Sequence, residues 1–264
     1  LEGYRGYPRI VGETGGKDFI VAHASAELEA LATAIVRGAF EYQGQKCSAA
    51  SRAYIPRSLA SALDAKLQEM LSAVRVGDPS DFSNFMGAVI SRDAYERITG
   101  TIEHARKDPE LRLVFGGGAS DEAGWFVEPA VFETTNPRHA LLNQEIFGPV
   151  FAYFVYEDDR YEQVLELCDT TSPYALTGAV FARDATAIQT ASARLRDAAG
   201  NFYVNDKPTG AVVGQQPFGG ARQSGTNDKA GSGEYLHRWV SARVIKENSN
   251  PPRDFRYPFL LPEA

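Results

Sequence analysis

A thiol and a carboxylate carry the strongest chemical potential in this chain. Cys47 lies in Phe40-Glu41-Tyr42-Gln43-Gly44-Gln45-Lys46-Cys47-Ser48, and Glu13 lies upstream in Gly12-Glu13-Thr14-Gly15-Gly16-Lys17. A thiol can add to an aldehyde, hold it as a thiohemiacetal while a hydride leaves, and then present a thioester. A carboxylate can draw the proton from the water that hydrolyses that thioester. Each residue also has an ordinary alternative. A lone cysteine at a helix end is commonly a small buried hydrophobe, and a Glu in a glycine-rich segment is commonly a solvated turn residue. Cys168, beside Val164 and Leu165, takes the ordinary reading of core packing, and Lys17 is read as a surface charge with no role.

Helices and strands must carry these groups to one place. From Leu28 the apolar positions Leu31, Ala32, Ile35, Val36, Ala39 and Phe40 follow the i, i+3, i+4, i+7 template. Ser25 is the expected N-cap and Gly44 the stop, so this helix delivers the chain to Cys47. Further helices are expected at 59–74, 93–106, 161–168 and 185–195. Strand-like runs fall at 53–55, 111–115, 127–132, 150–156, 178–181 and 202–205. This alternation predicts an α/β fold, an open and mostly parallel sheet with helices on both faces. Trp239 to Ile245 reads as one more strand with no helix after it, which suits pairing with another subunit or domain, and a Pro-rich tail follows.

Composition narrows the function classes. Of 264 residues, 44% are hydrophobic and 23% charged, an ordinary globular balance, and the net charge of −7 argues against a nucleic-acid surface. No stretch approaches the roughly 18 apolar residues of a membrane span, and the N-terminus lacks a signal-peptide pattern. Two cysteines are too few for a disulfide framework, which favours a reducing compartment. Neither cysteine has metal-ligand spacing to His23, His104, His139 or His237, and no metal is expected. No histidine is placed to serve Cys47 as a base, which tells against a Cys-His hydrolase.

Two glycine-rich segments need a reading. The segment from Thr209 to Gly233 is long for a loop, and such loops are functional or disordered. Gly116-Gly117-Gly118 could in principle cradle a phosphate after a strand. The residues that follow, Ala119-Ser120-Asp121-Glu122, carry carboxylates that would repel a pyrophosphate, and no helix signal follows, so this is read as a turn.

Three motifs in order give a resemblance: Glu13 with Gly15-Gly16-Lys17, the Gly44-Gln45-x-Cys47 run, and Asn143-Gln144-Glu145-Ile146-Phe147-Gly148-Pro149. Together they resemble the aldehyde dehydrogenase superfamily. Ser48, the run Pro208 to Gly220 and Ser224-Gly225-Thr226-Asn227-Asp228-Lys229 are similar to its pyrroline-5-carboxylate dehydrogenase branch, over essentially the whole chain. The resemblance implies Cys47 as nucleophile and Glu13 as the base for the deacylating water. It implies Glu145 on the nicotinamide ribose hydroxyls and Phe147 beside the nicotinamide of NAD. Ser48, Gly210 and Ala211 would clamp the substrate's α-carboxylate, and Phe218 would wall its aliphatic part. Backbone N–H groups of a glycine-containing loop form a concave donor site, and a Ser hydroxyl adds a further hydrogen bond.

The implied reaction is oxidation of glutamate γ-semialdehyde to glutamate with NAD, in proline catabolism. Residues 1–25 are expected to end a cofactor-binding domain, 26–231 to form the catalytic domain, and 232–264 to be an oligomerisation segment and tail. In that branch an Asn side chain from the preceding part helps hold the developing oxyanion. The 264 residues alone are therefore expected to be inactive. A homodimer or higher homo-oligomer is implied, in bacterial cytoplasm or the mitochondrial matrix. Two alternatives stand beside it: oxidation of another carboxylate-bearing semialdehyde, and an inactive assembly module.

Overall fold

The computed structural model describes residues 2–262; Leu1, Glu263 and Ala264, at the ends of the first and last expected segments, lie outside them. Its main sheet has strands β1 (Asp18–Ala22), β2 (Ala50–Pro56), β3 (Leu111–Gly116), β4 (Ala130–Thr134), β5 (Val150–Tyr156), β6 (Thr177–Phe181) and β7 (Asn201–Val204). Their spatial order is β7-β6-β1-β2-β5-β4-β3. Every neighbouring pair is parallel except β3 with β4, which is antiparallel.

Side-chain alternation along the strands divides the core. Ile20, Ala53, Phe151, Tyr153 and Val155 point to one face, where α1 (Leu28–Phe40) and α2 (Arg57–Ser72) cover them. On the other face Phe19, Val21, Tyr54 and Tyr156 meet α5 (Tyr161–Thr171) and α6 (Ala185–Arg194). On that same side Val150, Ala152 and Phe132 meet α3 (Arg92–Lys107) and the short α4 (Ala140–Asn143). The strands are apolar on both sides because both sides are covered, as the predicted α/β class requires.

Several expectations change. No strand is expected at 18–22, where Lys17 is read as a surface charge, yet β1 lies between β6 and β2. It also packs with the elements that follow it, so the division at residue 25 falls after a strand of this sheet. Ser25 does not cap α1. Glu27 does, accepting from the N–H of Glu29 and Ala30 (3.1 and 2.7 Å), while the Ser25 hydroxyl accepts from the N–H of Arg183 and Asp184.

The expected strand at 127–132 is split at Glu128-Pro129. Phe126–Val127 pairs with Ala119–Ser120, and β4 starts afresh at Ala130. Gly116 and Gly117 take left-handed φ values of 68° and 80°, the turn that was expected. Trp239 to Ile245 forms no strand in the described chain: it has no ladder partner, and Val244 is 92% exposed.

Candidate active site

Three of the predicted site segments enter the sheet at one edge. Gly12–Gly16 leads into β1, Cys47-Ser48 into β2 and Phe147-Gly148 into β5, and these are three adjacent strands. Because the strands are parallel, their amino ends lie side by side.

Cys47 is turned toward that edge by an abrupt reversal after α1. Tyr42, Gln43 and Gly44 have φ of 53°, 58° and 64°, three consecutive left-handed residues. Gly44 is required twice over, by that φ and because a Cβ there would sit 2.4 Å from the Gly148 carbonyl oxygen. The reversal is pinned from both sides. The Gln43 amide donates to the Ala88 carbonyl (2.8 Å), and the Glu41 carboxylate takes Lys207 (2.8 Å) and Lys46 (3.2 Å). Partial burial pushes Glu41 up, but hydrogen bonds and charge from Lys207 and Lys46 outweigh it and hold the carboxyl below its ordinary range.

Glu13 is placed by the glycine-rich segment 209–233, which folds back over the sheet edge. Thr14 N–H donates to the Ser224 carbonyl (3.1 Å), and Thr226 N–H donates to the Gly12 carbonyl (3.0 Å). Ala221–Arg222 also pairs antiparallel with Tyr174–Ala175. The long loop is therefore ordered by backbone pairing.

Glu13, Cys47, Ser48, Phe147, Gly210, Ala211 and Phe218 line a single cavity of about 850 Å³. Glu145 is set beside it: its carboxylate accepts from Gly16 N–H at 3.0 Å, and with Phe147 it borders an adjoining crevice. Phe147, at φ 55°, is 40% exposed. Sequence reasoning did not single out Thr209, although its hydroxyl is 2.8 Å from that of Ser48 and both residues are buried. Its position next to Gly210 was the available signal. Leu176, Val213 and Gln216 complete much of the lining.

Cys47 is half-buried. Burial, then the negative charges of Asp18, Glu13 and Glu145, push its thiol up, opposed by a hydrogen bond from the Ser48 backbone. The resting group is a thiol that needs a base. Cys168 is fully buried on α5, its thiol pushed up to about 12 mainly by burial, as core packing predicts.

Lys17 is not a surface charge. It is 2% exposed, its Nζ has no hydrogen-bond partner, and burial with nearby Arg52 pushes it down to about 7. Unfolded, this amine titrates near its ordinary 10.5, so the unfolded chain binds more protons between about pH 7 and 10.5 and stability rises with pH across that window. Lys17→Met removes the buried cation. It is expected to stabilise the fold more at pH 6 than at pH 10, as urea denaturation at the two pH values would measure.

Gly16 is closely enclosed between the nucleophile loop and Asp18. A Cβ there would sit 2.3 Å from the Cys47 carbonyl oxygen and 2.6 Å from Asp18 Oδ2. Gly16→Ala must displace the nucleophile loop. It is expected to cost about 1–3 kcal/mol in denaturant unfolding and to slow Cys47 alkylation measurably.

The amino ends of three central strands of an α/β sheet thus present one thiol and one carboxylate in a shared cavity. The chain belongs to the aldehyde dehydrogenase family, whose model matches residues 3–245. It is 53% identical over 258 residues to the mitochondrial delta-1-pyrroline-5-carboxylate dehydrogenase of Dictyostelium discoideum, covering 98% of this chain and 46% of that protein. The human mitochondrial enzyme of the same name is 49% identical over 261 residues, with the same coverage. A crystal structure of the Mycobacterium tuberculosis delta-pyrroline-5-carboxylate dehydrogenase bound with NAD superposes with a TM-score of 0.89 at 53% identity, over 98% of this chain and 47% of that one. The chain spans about half the length of the relatives it matches. Among the described residues no helix is long and apolar enough to cross a membrane.

Proposed function

We propose that these residues carry out the NAD-dependent oxidation of glutamate γ-semialdehyde to glutamate, acting with a nucleotide-binding segment of the kind that relatives twice this length can accommodate. The observation that carries the proposal is the meeting of Cys47 and Glu13 in one cavity that Ser48, Gly210, Ala211 and Phe218 also line. That set provides a nucleophile, a base and hydrogen-bond donors for a carboxylate within one cavity. The names of the relatives agree with it.

In the first step the Cys47 sulfur bonds to the aldehyde carbon as the thiol proton leaves to water. Bound NAD supplies the acceptor for the hydride that leaves the thiohemiacetal carbon, and a thioester to Cys47 remains. Glu13 then takes a proton from water. The hydroxide attacks the thioester carbon, the C–S bond breaks, and the Cys47 thiolate is reprotonated. The residues present fit the nicotinamide end of the cofactor. Glu145 is a fixed carboxylate able to accept from ribose hydroxyls, and Phe147 is an exposed aromatic ring beside it.

Ser48 can donate its single hydroxyl proton to the substrate carboxylate only if it accepts from its neighbour, so Thr209 must be the donor in their contact. Thr209→Val removes the neutral hydrogen bond that orients the Ser48 hydroxyl and is expected to raise KM for glutamate semialdehyde by about two- to tenfold, the worth of one such bond. Thr209→Ser should restore it, and KM for an aldehyde without a carboxylate should stay constant.

The test of the reaction is initial-rate NADH formation by the complete protein with the cyclic imine. Glutamate semialdehyde should be preferred over aspartate and succinate semialdehydes, because a methylene misfit is worth roughly 1–3 kcal/mol. A preference for another semialdehyde would replace the substrate, and no NADH with any of them would remove the reaction.

A further inference from the structure

Beneath the nucleophile lies a second carboxyl group that the mechanism above does not use. Asp18 is 1% exposed, at the start of β1. Its Oδ1 accepts from Thr177 N–H at 2.7 Å, but Oδ2 has no hydrogen-bond partner. Oδ2 borders the space beside Gly16, and the Cys47 carbonyl oxygen borders the same space, 2.6 and 2.3 Å respectively from the point a Cβ would occupy. Both oxygens thus border one small space, and the buried Thr177 hydroxyl, the other polar group beside Asp18, makes no hydrogen bond either.

The charged groups around Asp18 do not supply one. Arg52, reaching in from β2, commits its guanidinium to the Lys17 carbonyl (2.8 Å), the Tyr54 hydroxyl (3.0 Å) and the Cys168 carbonyl (3.1 Å). Lys17 Nζ has no partner at all. Glu145, from the loop before β5, is itself an anion, and its oxygen takes Gly16 N–H. A carboxylate here would feel the Arg52 charge but have no cation hydrogen-bonded to it, and burying a charge without such a partner is costly, whereas a carboxylic acid carries a proton of its own to donate.

We propose that Asp18 is a positioning residue held as a neutral carboxylic acid, whose Oδ2–H faces the Cys47 carbonyl, steadies the nucleophile loop and keeps a negative charge away from the thiol. The proposal rests on the reading of Cys47 as nucleophile. Burial pushes the Asp18 carboxyl up to about 8, and after burial itself Asp18 is the largest influence raising the Cys47 thiol. The two groups therefore titrate as a coupled pair: loss of the Asp18 proton above about pH 8 makes loss of the Cys47 proton harder.

Iodoacetamide labelling of Cys47 between pH 6 and 10, quantified by peptide mass spectrometry in the complete protein, tests this. Asp18→Asn places an N–H where the acid places its O–H. It should label like the wild type at pH 7 and up to about tenfold faster at pH 9 and above, the value of one pKa unit. Identical profiles, or an Asn variant slower at pH 7, overturn the proposal. If Cys47 in the wild type labels no faster than Cys168, the nucleophile reading falls and this proposal with it, so the two failures are distinguishable. Infrared difference spectra of the wild type offer a second measurement that needs no variant. A protonated-carboxyl band lost between pH 6 and 9 is expected, and its absence overturns the proposal.

Discussion

Cys47→Ala is expected to abolish aldehyde oxidation by the complete protein, a loss of at least about ten-thousand-fold in kcat, because no other group in the cavity can form the thioester. The fold should survive. Cys47 is half-buried at a loop that is held by Gly44, Gln43 and Glu41, none of which depends on the sulfur. Cys168→Ala is the matching control and should behave oppositely. Cys168 is fully buried in the core under α5, so its loss should lower the unfolding midpoint and leave kcat unchanged. Initial rates and thermal melts on both variants would check the pair.

Glu13→Gln is expected to lower steady-state kcat by about a hundred- to ten-thousand-fold, the usual contribution of a general base. An amide of the same size keeps the shape of the site but cannot take a proton from water. Rapid-mixing measurements should then separate the two halves of the reaction. If Glu13 serves mainly the hydrolytic half, a burst of NADH close to one per site should persist while later turnovers slow. Loss of the burst as well would assign Glu13 to deprotonating the raised Cys47 thiol too.

The α/β class was legible because periodicity separates helices from strands, and α2, α3, α5 and α6 fall within a few residues of their expected bounds. β1 was not legible. Its first residue is an Asp preceded by a Lys, and local pattern cannot show that a charged pair is buried when long-range packing against β2 and β6 buries it. The N-cap of α1 was misassigned for a related reason: Ser25 is consumed by a distant turn at Arg183-Asp184, leaving Glu27 to cap. Glu128-Pro129 split a continuous apolar run, and Pro129 was the signal that should have divided it.

The candidate site was more legible than the fold, because motifs carry residue types and the resemblance carried their roles. Cys47, Glu13, Ser48, Phe147, Gly210, Ala211 and Phe218 all reach one cavity, from segments as far apart in sequence as Glu13 and Phe218, with Glu145 alongside. The supporting residues were the hidden part. Thr209 meets Ser48 through one hydroxyl contact and Asp18 is buried beside Gly16, and such placements leave no periodicity and no composition signal.

The central claim is that a carbonyl carbon becomes bonded to the Cys47 sulfur. The direct measurement is peptide mass spectrometry of the Glu13→Gln protein, acid-quenched within its first turnover with NAD and the cyclic imine. A glutamyl thioester on the peptide containing Cys47, and none on the peptide containing Cys168, is predicted. NADH formed without any adduct on Cys47, or an adduct on Cys168 instead, would contradict the account.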